Sequence, residues 1–275
     1  MSIYFIGDIH GCFDQLQLLL KKVQFNKQND QLWSTGDLVS RGPKSFEVVK
    51  YLFSLGDSLK LVLGNHDLHL ITSYLNQQNI KNMNSDMISF FQEKESHDLI
   101  MWMRQQPLLR IDYRHKFILS HAGVYPNWSL KIAQEYAYEA TKIINSDQYI
   151  NYFNSIANIK NNYWNSDANN IQKFYFTINS LTRMRYCELN GSLNMKEKLP
   201  PNKLFKNNNI KLIPWFEMHH AIPKEYSFIF GHWSALNGKG TPKRFFPLDT
   251  GCCWGKNLTL LRWEDKKIFS QPFYY

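Results

Sequence analysis

The chain has little cysteine. Among its 275 residues there are four, Cys12, Cys187 and the adjacent Cys252-Cys253. No Cys-x-x-Cys pair occurs, which argues against a thiolate zinc site. A chain of this length buries enough apolar surface to fold without staples, so the thiols read as the reduced cysteines of a cytoplasmic protein. The N-terminus lacks a basic stretch ahead of an apolar core, so no signal peptide is expected. No run approaches the ~20 consecutive apolar residues of a membrane span, so no membrane association is expected. Nothing in the sequence calls for an obligate protein partner. Acidic residues are also in deficit: 23 Asp and Glu stand against 32 Lys and Arg, a formal charge of +9. That surplus suits a polyanionic partner such as a nucleic acid, a nucleotide or a phosphoprotein. The lysines are scattered (Lys21-Lys22, Lys196 and Lys198, Lys203 and Lys206, Lys266-Lys267). They fit a diffuse field better than a nucleic-acid-binding arm.

What is present is a repeated unit. Ile3-Tyr4-Phe5-Ile6 is too short and too rich in β-formers for a helix, and it runs into Gly7-Asp8-Ile9-His10-Gly11. This reads as a buried strand ending in a glycine-bounded turn. A helical stripe follows from Cys12 to Val23, with Lys21-Lys22 at the end that favours cations. Leu32 to Thr35 is a second strand, ending in Gly36-Asp37 and continuing as Leu38-Val39-Ser40-Arg41-Gly42-Pro43. The helix from about Lys44 to Leu55 is expected to bury Phe46, Val49, Leu52 and Phe53. Leu59 to Leu63 is a third strand, followed by Gly64-Asn65-His66-Asp67 and a helical pattern through Leu75. Alternating βα units imply a mostly parallel sheet with functional groups at the carboxyl ends of its strands.

The rest of the chain is less regular. Residues 77–103 read as an insertion, Asn/Gln-rich at first and helical toward Met103. Leu108–Tyr113 and Phe117–Ser120 read as paired strands, the second ending in His121-Ala122-Gly123. Residues 128–225 read as a helix-rich insertion or cap within one domain covering 1–275. Tyr226–Phe230 leads into Gly231-His232-Trp233, and Leu248–Gly251 and Leu258–Trp263 close the sheet.

The polar groups at strand ends are Asp8, His10, Asp37, Asn65, His66, His121 and His232. Singly, each is an ordinary turn residue; recurring on successive strands they suit two divalent cations about 3.5–4 Å apart that share a carboxylate. Asp8, His10 and a bridging Asp37 suit one cation, and Asp37, Asn65, His121 and His232 suit the other. The neutral amide of Asn65 limits the negative charge and leaves the pair electrophilic toward phosphate.

The motifs GDIHG, GDLVSRG and GNHD, with single histidines in SHAG and FGHW, resemble the metallophosphoesterases near their phosphoprotein phosphatase branch. Within them, GDLVSRGP, GNHDLHL, LTRMRYC, IFGHW and LDTGC resemble the family of symmetrical bis(5′-nucleosyl)-tetraphosphatases, over roughly residues 2–263. The resemblance implies an α/β fold, a four-layer αββα sandwich, and a dinuclear site of manganese, with cobalt, iron or zinc as alternatives. It implies hydrolysis of diadenosine tetraphosphate to two ADP. The expected reaction is in-line attack on phosphorus by a hydroxide formed between the cations. Arg41 would hold phosphate oxygens with its planar fork, and His66 would protonate the leaving phosphate.

Ser40 stands where the protein phosphatases carry a second Asp that orients the histidine. It argues against protein phosphatase activity and leaves open what orients His66. Asp67 is adjacent and is counted with His66 and Arg41 in the catalytic set. Arg183 and Arg185, read as helical, would point apart, and the motif favours Arg183 as the second phosphate clamp. Trp164, Trp215 and Trp233 are the candidates to stack on adenine. Asp249 is read as a supporting or turn residue. The competing activities are nucleotide or cap removal from RNA 5′ ends and protein Ser/Thr dephosphorylation.

Overall fold

The first strand already requires two layers of cover. All four residues of β1 (Ile3–Ile6) are buried, and they alternate between two clusters. Ile3 and Phe5 pack into one, Tyr4 and Ile6 into the other. A strand apolar on both faces needs a partner on each side. The computed structural model describes residues 1–76, 85–156, 159, 162–204 and 212–274. Lys206 and the Asn/Gln-rich start of the expected first insertion, 77–84, lie outside them.

After β1 come α1 (Phe13–Lys22), β2 (Gln31–Ser34), α2 (Ser45–Ser54), β3 (Leu59–Leu61), α3 (Asn65–Asn76), α4 (Ser85–Gln92) and α5 (Ser96–Arg104). Then follow β4 (Leu109–Asp112), β5 (Phe117–Ser120), α6 (Leu130–Asn145), α7 (Tyr149–Ile156) and α8 (Asn170–Thr182). The chain closes with β6 (Tyr186–Glu188), β7 (Leu193–Asn194), α9 (Pro201–Leu204), β8 (Leu212–Pro214), β9 (Ser227–Phe230), β10 (Phe245–Pro247), β11 (Asn257–Arg262) and β12 (Lys267–Pro272).

These strands form two main sheets, ordered β12-β11-β1-β2-β3 and β10-β9-β5-β4. The sequence pattern suggested one mostly parallel sheet. Each sheet does have a parallel centre, β1-β2-β3 in the first and β5-β9-β10 in the second. Antiparallel strands β11, β12 and β4 finish the edges. The sheets face each other through Ile3, Phe5, Trp33, Val62, Phe117, Leu119, Ile229, Leu248, Leu261 and Trp263. Phe117 is the hub of this layer. Its ring lies 4.9 Å from Phe5, 5.0 Å from Trp33 and 5.0 Å from Trp263, each steeply inclined. Such edge-to-face pairs add ~0.5–1.5 kcal/mol beyond burial. Helices cover the outer faces, α1 over β11 and β12, α6 against β4. The result is the four-layer αββα arrangement.

Two expectations change. Phe53 does not join the core: it is 49% exposed and rests edge-on against Trp102 at 5.3 Å. The buried face of α2 is Ser45, Val48, Val49 and Leu52, so the stripe runs one position away from Phe53. The segment between the neighbouring strands β5 and β9 contains α6, α7 and α8 as read, but also a three-stranded antiparallel sheet, β7-β6-β8. Strands of two or three residues are too short to show alternation in sequence.

Truncating the hub should be far costlier than truncating the exposed ring. We expect Phe117→Ala to lower unfolding free energy by ~3–5 kcal/mol, the usual range for a buried aromatic. Phe53→Ala should cost under ~1 kcal/mol. Denaturant midpoints for the two variants check the assignment of the inter-sheet layer.

Candidate active site

The parallel centres of both sheets end on the same side of the sandwich, and the turns beyond them carry the polar groups. Asp8 and His10 follow β1, Asp37 follows β2, Asn65 and His66 open α3 after β3, His121 follows β5, His232 follows β9 and Asp249 follows β10. A cleft of about 590 Å³ has Asp8, His10, Asp37, Asn65, His66, His232 and Asp249 in its walls, together with Arg41, Arg183 and Arg185. His121 lies beneath it, fully buried.

The turns are held in unusual backbone conformations. His10, Asp37 and His232 all have positive φ, at 46°, 51° and 63°. Ser40 and Arg41 follow suit at 74° and 78°. For non-glycine residues each such position costs on the order of 1–3 kcal/mol and persists only where the surroundings fix it. Hydrogen bonds do the fixing. Ile9 N–H and His10 N–H both donate to Asp37 O, and Gly11 N–H donates to Leu38 O. Asp67, wholly buried, accepts from the N–H groups of Asp37 (2.8 Å), Leu38 (2.9 Å) and Gly64 (2.9 Å). Both of its oxygens are thus engaged in joining the turns after β2 and β3. Among the described residues no carboxylate hydrogen-bonds the ring of His66, and Asp67, whose direction the sequence left open, turns to the backbone instead. Burial, with Asp37 nearby, pushes the Asp67 carboxyl up to about 6.

Two glycines are where they are because a carboxylate occupies the space of a side chain. A Cβ on Gly231 would stand 1.8 Å from Asp8 Oδ1, and one on Gly64 would stand 2.1 Å from Asp37 Oδ1. Asp8 accepts from Thr35 Oγ1 (3.0 Å) and from His232 N–H (2.9 Å). Asp37 Oδ1 accepts from His66 N–H at 2.8 Å, in the first turn of α3. That is the positive end of the helix, where free N–H groups favour an anion.

The histidines are aimed. His10 Nδ1–H donates to Val39 O and His121 Nδ1–H donates to Thr35 O, both at 2.9 Å. This leaves each Nε2 toward Asp37 Oδ2, at 3.5 Å and 3.4 Å. A backbone carbonyl fixing the second ring nitrogen is the usual support of a metal-binding histidine. Among the described residues, His232 Nε2 is buried without a hydrogen-bond partner. One amide atom of Asn65 lies 3.0 Å from His232 Nδ1 and 3.2 Å from His121 Nε2. With both rings neutral the amide nitrogen donates there; a proton on His121 Nε2, or a cation, turns the oxygen in. The ligand atoms of Asp8, Asp37 and His121 lie within 4.8 Å of one another, and so do those of His10, Asp37 and His66. Asp37 belongs to both groups. The donor set, carboxylates, imidazoles and one amide, fits divalent cations of the borderline and hard type.

Electrostatics point the same way. Burial, with Asp249 close by, raises the Asp8 carboxyl well above its ordinary range. Burial also pushes Asp37 up, but His121, His10 and His66 outweigh it and hold the carboxyl low. Burial would lower His121, yet Asp37 and Asp8 carry it up to about 10. The carboxylates thus favour positive charge at His121. Burial, aided by Arg185, drives His232 well below its usual value, so it stays neutral and able to ligate. Burial also takes His66 down to about 4, against the pull of Asp37.

The arginines depart from the sequence reading. α8 ends at Thr182, and Arg183 is its C-cap at φ −139°. The two arginines are not on one helix, so i, i+2 divergence does not apply. Both face the cleft, and Arg185 Nη2 donates to His232 O at 3.3 Å. Of the expected stacking rings, Trp215 is fully buried against Phe228, Phe230 and Phe245. Trp164 packs on Trp128, Tyr136 and Phe176, away from the cleft. Trp233 reaches the wall but is 2% exposed, with Nε1–H donating to Lys198 O. Trp254, which the sequence reading passed over, lines the cleft with 58% of its surface exposed. Tyr175, Asn179 and Lys198 also reach the cleft; isolated in a region without repeat, they gave no signal in the sequence.

With this geometry in view, likeness to known proteins becomes informative. The family model for calcineurin-like phosphoesterases matches residues 1–237. A protein of Buchnera aphidicola subsp. Schizaphis graminum named bis(5′-nucleosyl)-tetraphosphatase, symmetrical, is 48% identical over 99% of this chain and 98% of its own. One of the same name from Erwinia tasmaniensis is 46% identical over 99% and 97%. A crystal structure whose description names diadenosine tetraphosphatase superposes with a TM-score of 0.65 at 23% identity, over 99% of this chain and 94% of that one. At that identity the superposition speaks to the fold alone.

Two measurements test the site as a cation trap. Cation binding must displace the proton from His121, which is held up to about 10. Below that pH, affinity should rise with pH, and at pH 7 protons should be released on saturation. Titration in weak buffer checks this; binding without proton release would contradict it. Asp37→Ala should lose both cations by elemental analysis and, with them, activity. Retention of two cations would remove Asp37 from its shared position.

Proposed function

The chain belongs to the calcineurin-like phosphoesterase family, and from that premise we propose that it hydrolyses diadenosine tetraphosphate symmetrically to two ADP at a dinuclear metal site. The observation that carries the reading is the place of Asp37 in two ligand groups at once, inside a cleft walled by three arginines. Near-full-length relatives named for this activity supply the substrate.

Asp8, His10 and Asp37 would hold one cation; Asp37, Asn65, His121 and His232 the other. Oxygen donors from two carboxylates and an amide favour manganese, with cobalt, iron or zinc compatible. The pair supplies Lewis acidity toward phosphate and lowers the pKa of water to near neutrality. The remaining work falls to this chain. Arg41 from the core and Arg183 and Arg185 from the insertion bind phosphate oxygens on the tetraphosphate chain. A grip from both elements places the central bridging oxygen at the reacting centre, so each half leaves as ADP. His66 donates a proton to that oxygen as the bond breaks. Its imidazole rests neutral because burial holds it near 4; the several negative charges of the substrate raise it and bring in the proton. Asp67 is assigned a positioning role, fixing the turn of Asp37 through backbone N–H groups. Residues 128–225 act as an insertion within one catalytic domain. The four free thiols favour a reducing compartment, in keeping with a cytoplasmic enzyme.

Incubation with diadenosine tetraphosphate and manganese, followed by chromatography, should yield two ADP. ATP plus AMP would overturn the symmetrical cleavage, and release of phosphate from phosphopeptides without dinucleotide turnover would overturn the substrate. His66→Ala should reduce kcat by ~10²–10⁴-fold, the range for loss of a general acid, with both cations retained. A loss of cations instead would make His66 a ligand.

A further inference from the structure

We propose that Trp254 is the platform on which one adenine of the substrate stacks; this rests on the dinucleotide reading above. The protein has eight tryptophans, and Trp254 is the one that is mostly exposed. An exposed indole loses favourable burial, so its position at a cleft calls for an occupant.

The loop that carries it is built to hold it still. Cys252–Trp254 forms a single 3-10 turn between Gly251 and Gly255, which have φ of 77° and 76°. Gly251 N–H donates to Asp249 Oδ1 (3.0 Å), and Thr250 Oγ1 donates to Asn257 O (2.7 Å). Cys252 is 1% exposed and anchors the turn in the core. The indole is thus presented by a short rigid turn tied to Asp249, itself in the wall of the cleft.

Its neighbour supplies the direction. The guanidinium carbon of Arg41 lies 5.0 Å from the centroid of the Trp254 ring. In an ADP moiety the phosphates and the base are joined through one ribose, so a residue that grips phosphate and a face that accepts a base must lie side by side. Arg41 and Trp254 do. The guanidinium sits over one face of the indole, and a base laid on the exposed remainder of the ring, 58% of the residue's surface, gains stacking without hydrogen-bond readout. Such stacking is tolerant of base identity, so this subsite would select a nucleoside over a bare phosphate without strong preference for adenine.

The competing role for Trp254 is to prop Arg41 and nothing more. The two separate by calorimetric titration of the manganese-loaded enzyme with ADP and with inorganic diphosphate. If the base stacks on Trp254, Trp254→Ala weakens ADP about tenfold, within the range for one base–aromatic stack. Diphosphate then weakens by less than about twofold, and Trp254→Phe recovers ADP affinity to within about threefold. Equal loss for ADP and diphosphate would make Trp254 a support for Arg41 and overturn the proposal, as would unchanged ADP affinity in Trp254→Ala. The reaction reading fails by a different result, the products that the unaltered enzyme forms from diadenosine tetraphosphate.

Discussion

Four aspartates are buried at one end of this molecule. Asp8, Asp37, Asp67 and Asp249 are each 6% exposed or less. Buried carboxylates repel one another and forfeit hydration, so they persist only where positive charge or N–H donors are supplied. The fold answers in two ways. Asp67 is satisfied by three backbone N–H groups and needs no cation. Asp8 and Asp37 accept N–H and O–H donors on their outer lone pairs and leave the inner ones facing histidines. The remaining deficit is what divalent cations fill. Positive φ at His10, Asp37 and His232 follows from the same demand, because turning the carboxylates and rings inward requires the backbone to bend the wrong way for an L residue.

The site therefore depends on parts that are not in it. The face-to-face packing of two sheets through Phe5, Trp33, Phe117 and Trp263 sets the strand ends of both sheets on one side. If the sheets slid, Asp8 from the first and His232 from the second would separate, and the 2.9 Å bond between them would go first. Gly231 and Gly64 add a second constraint, since any side chain there would displace a carboxylate. Stability and ligand geometry are in this sense one property of the inter-sheet layer.

How much of this the sequence carries differs by scale. Strand-end motifs such as Gly7-Asp8 and Gly36-Asp37 are legible because each is local: an apolar run, a glycine, a polar residue. The residues they name do converge. The division into two sheets is not legible from β1 itself, whose uniform apolarity is equally that of a central strand in one sheet; it came from family resemblance. The direction of Asp67 is set by which N–H groups approach it, two of them from residues 30 and 29 positions away, and no spacing rule reports that. Arg185 was set aside because a helix was extended three residues too far; the C-terminus of α8 has neither a glycine nor a proline after Thr182 to mark it. Trp254 is not distinguished by its sequence, because exposure is a property of the fold and not of the local residues.

This division between local and distant information has a chemical counterpart. Groups that would hold the cations come from strand ends, which are the stiffest parts of the molecule and the ones a motif can describe. Groups that would grip and distinguish the substrate come from elsewhere: Arg41 from a strained turn, Arg183 and Arg185 from the end of an inserted helix, Trp254 from a glycine-bounded 3-10 turn. Metal-assisted attack on phosphorus needs fixed ligands and tolerates little movement, whereas choosing among phosphate esters needs only that the surrounding walls present the right charge and the right face. Ser40 illustrates the point. A carboxylate at that position would add a fifth negative charge beside Arg41; with a serine the guanidinium has no carboxylate partner among the described residues and is left for phosphate. The same strand-end chemistry can thus serve a polyphosphate rather than a phosphoprotein through changes confined to the loops above it.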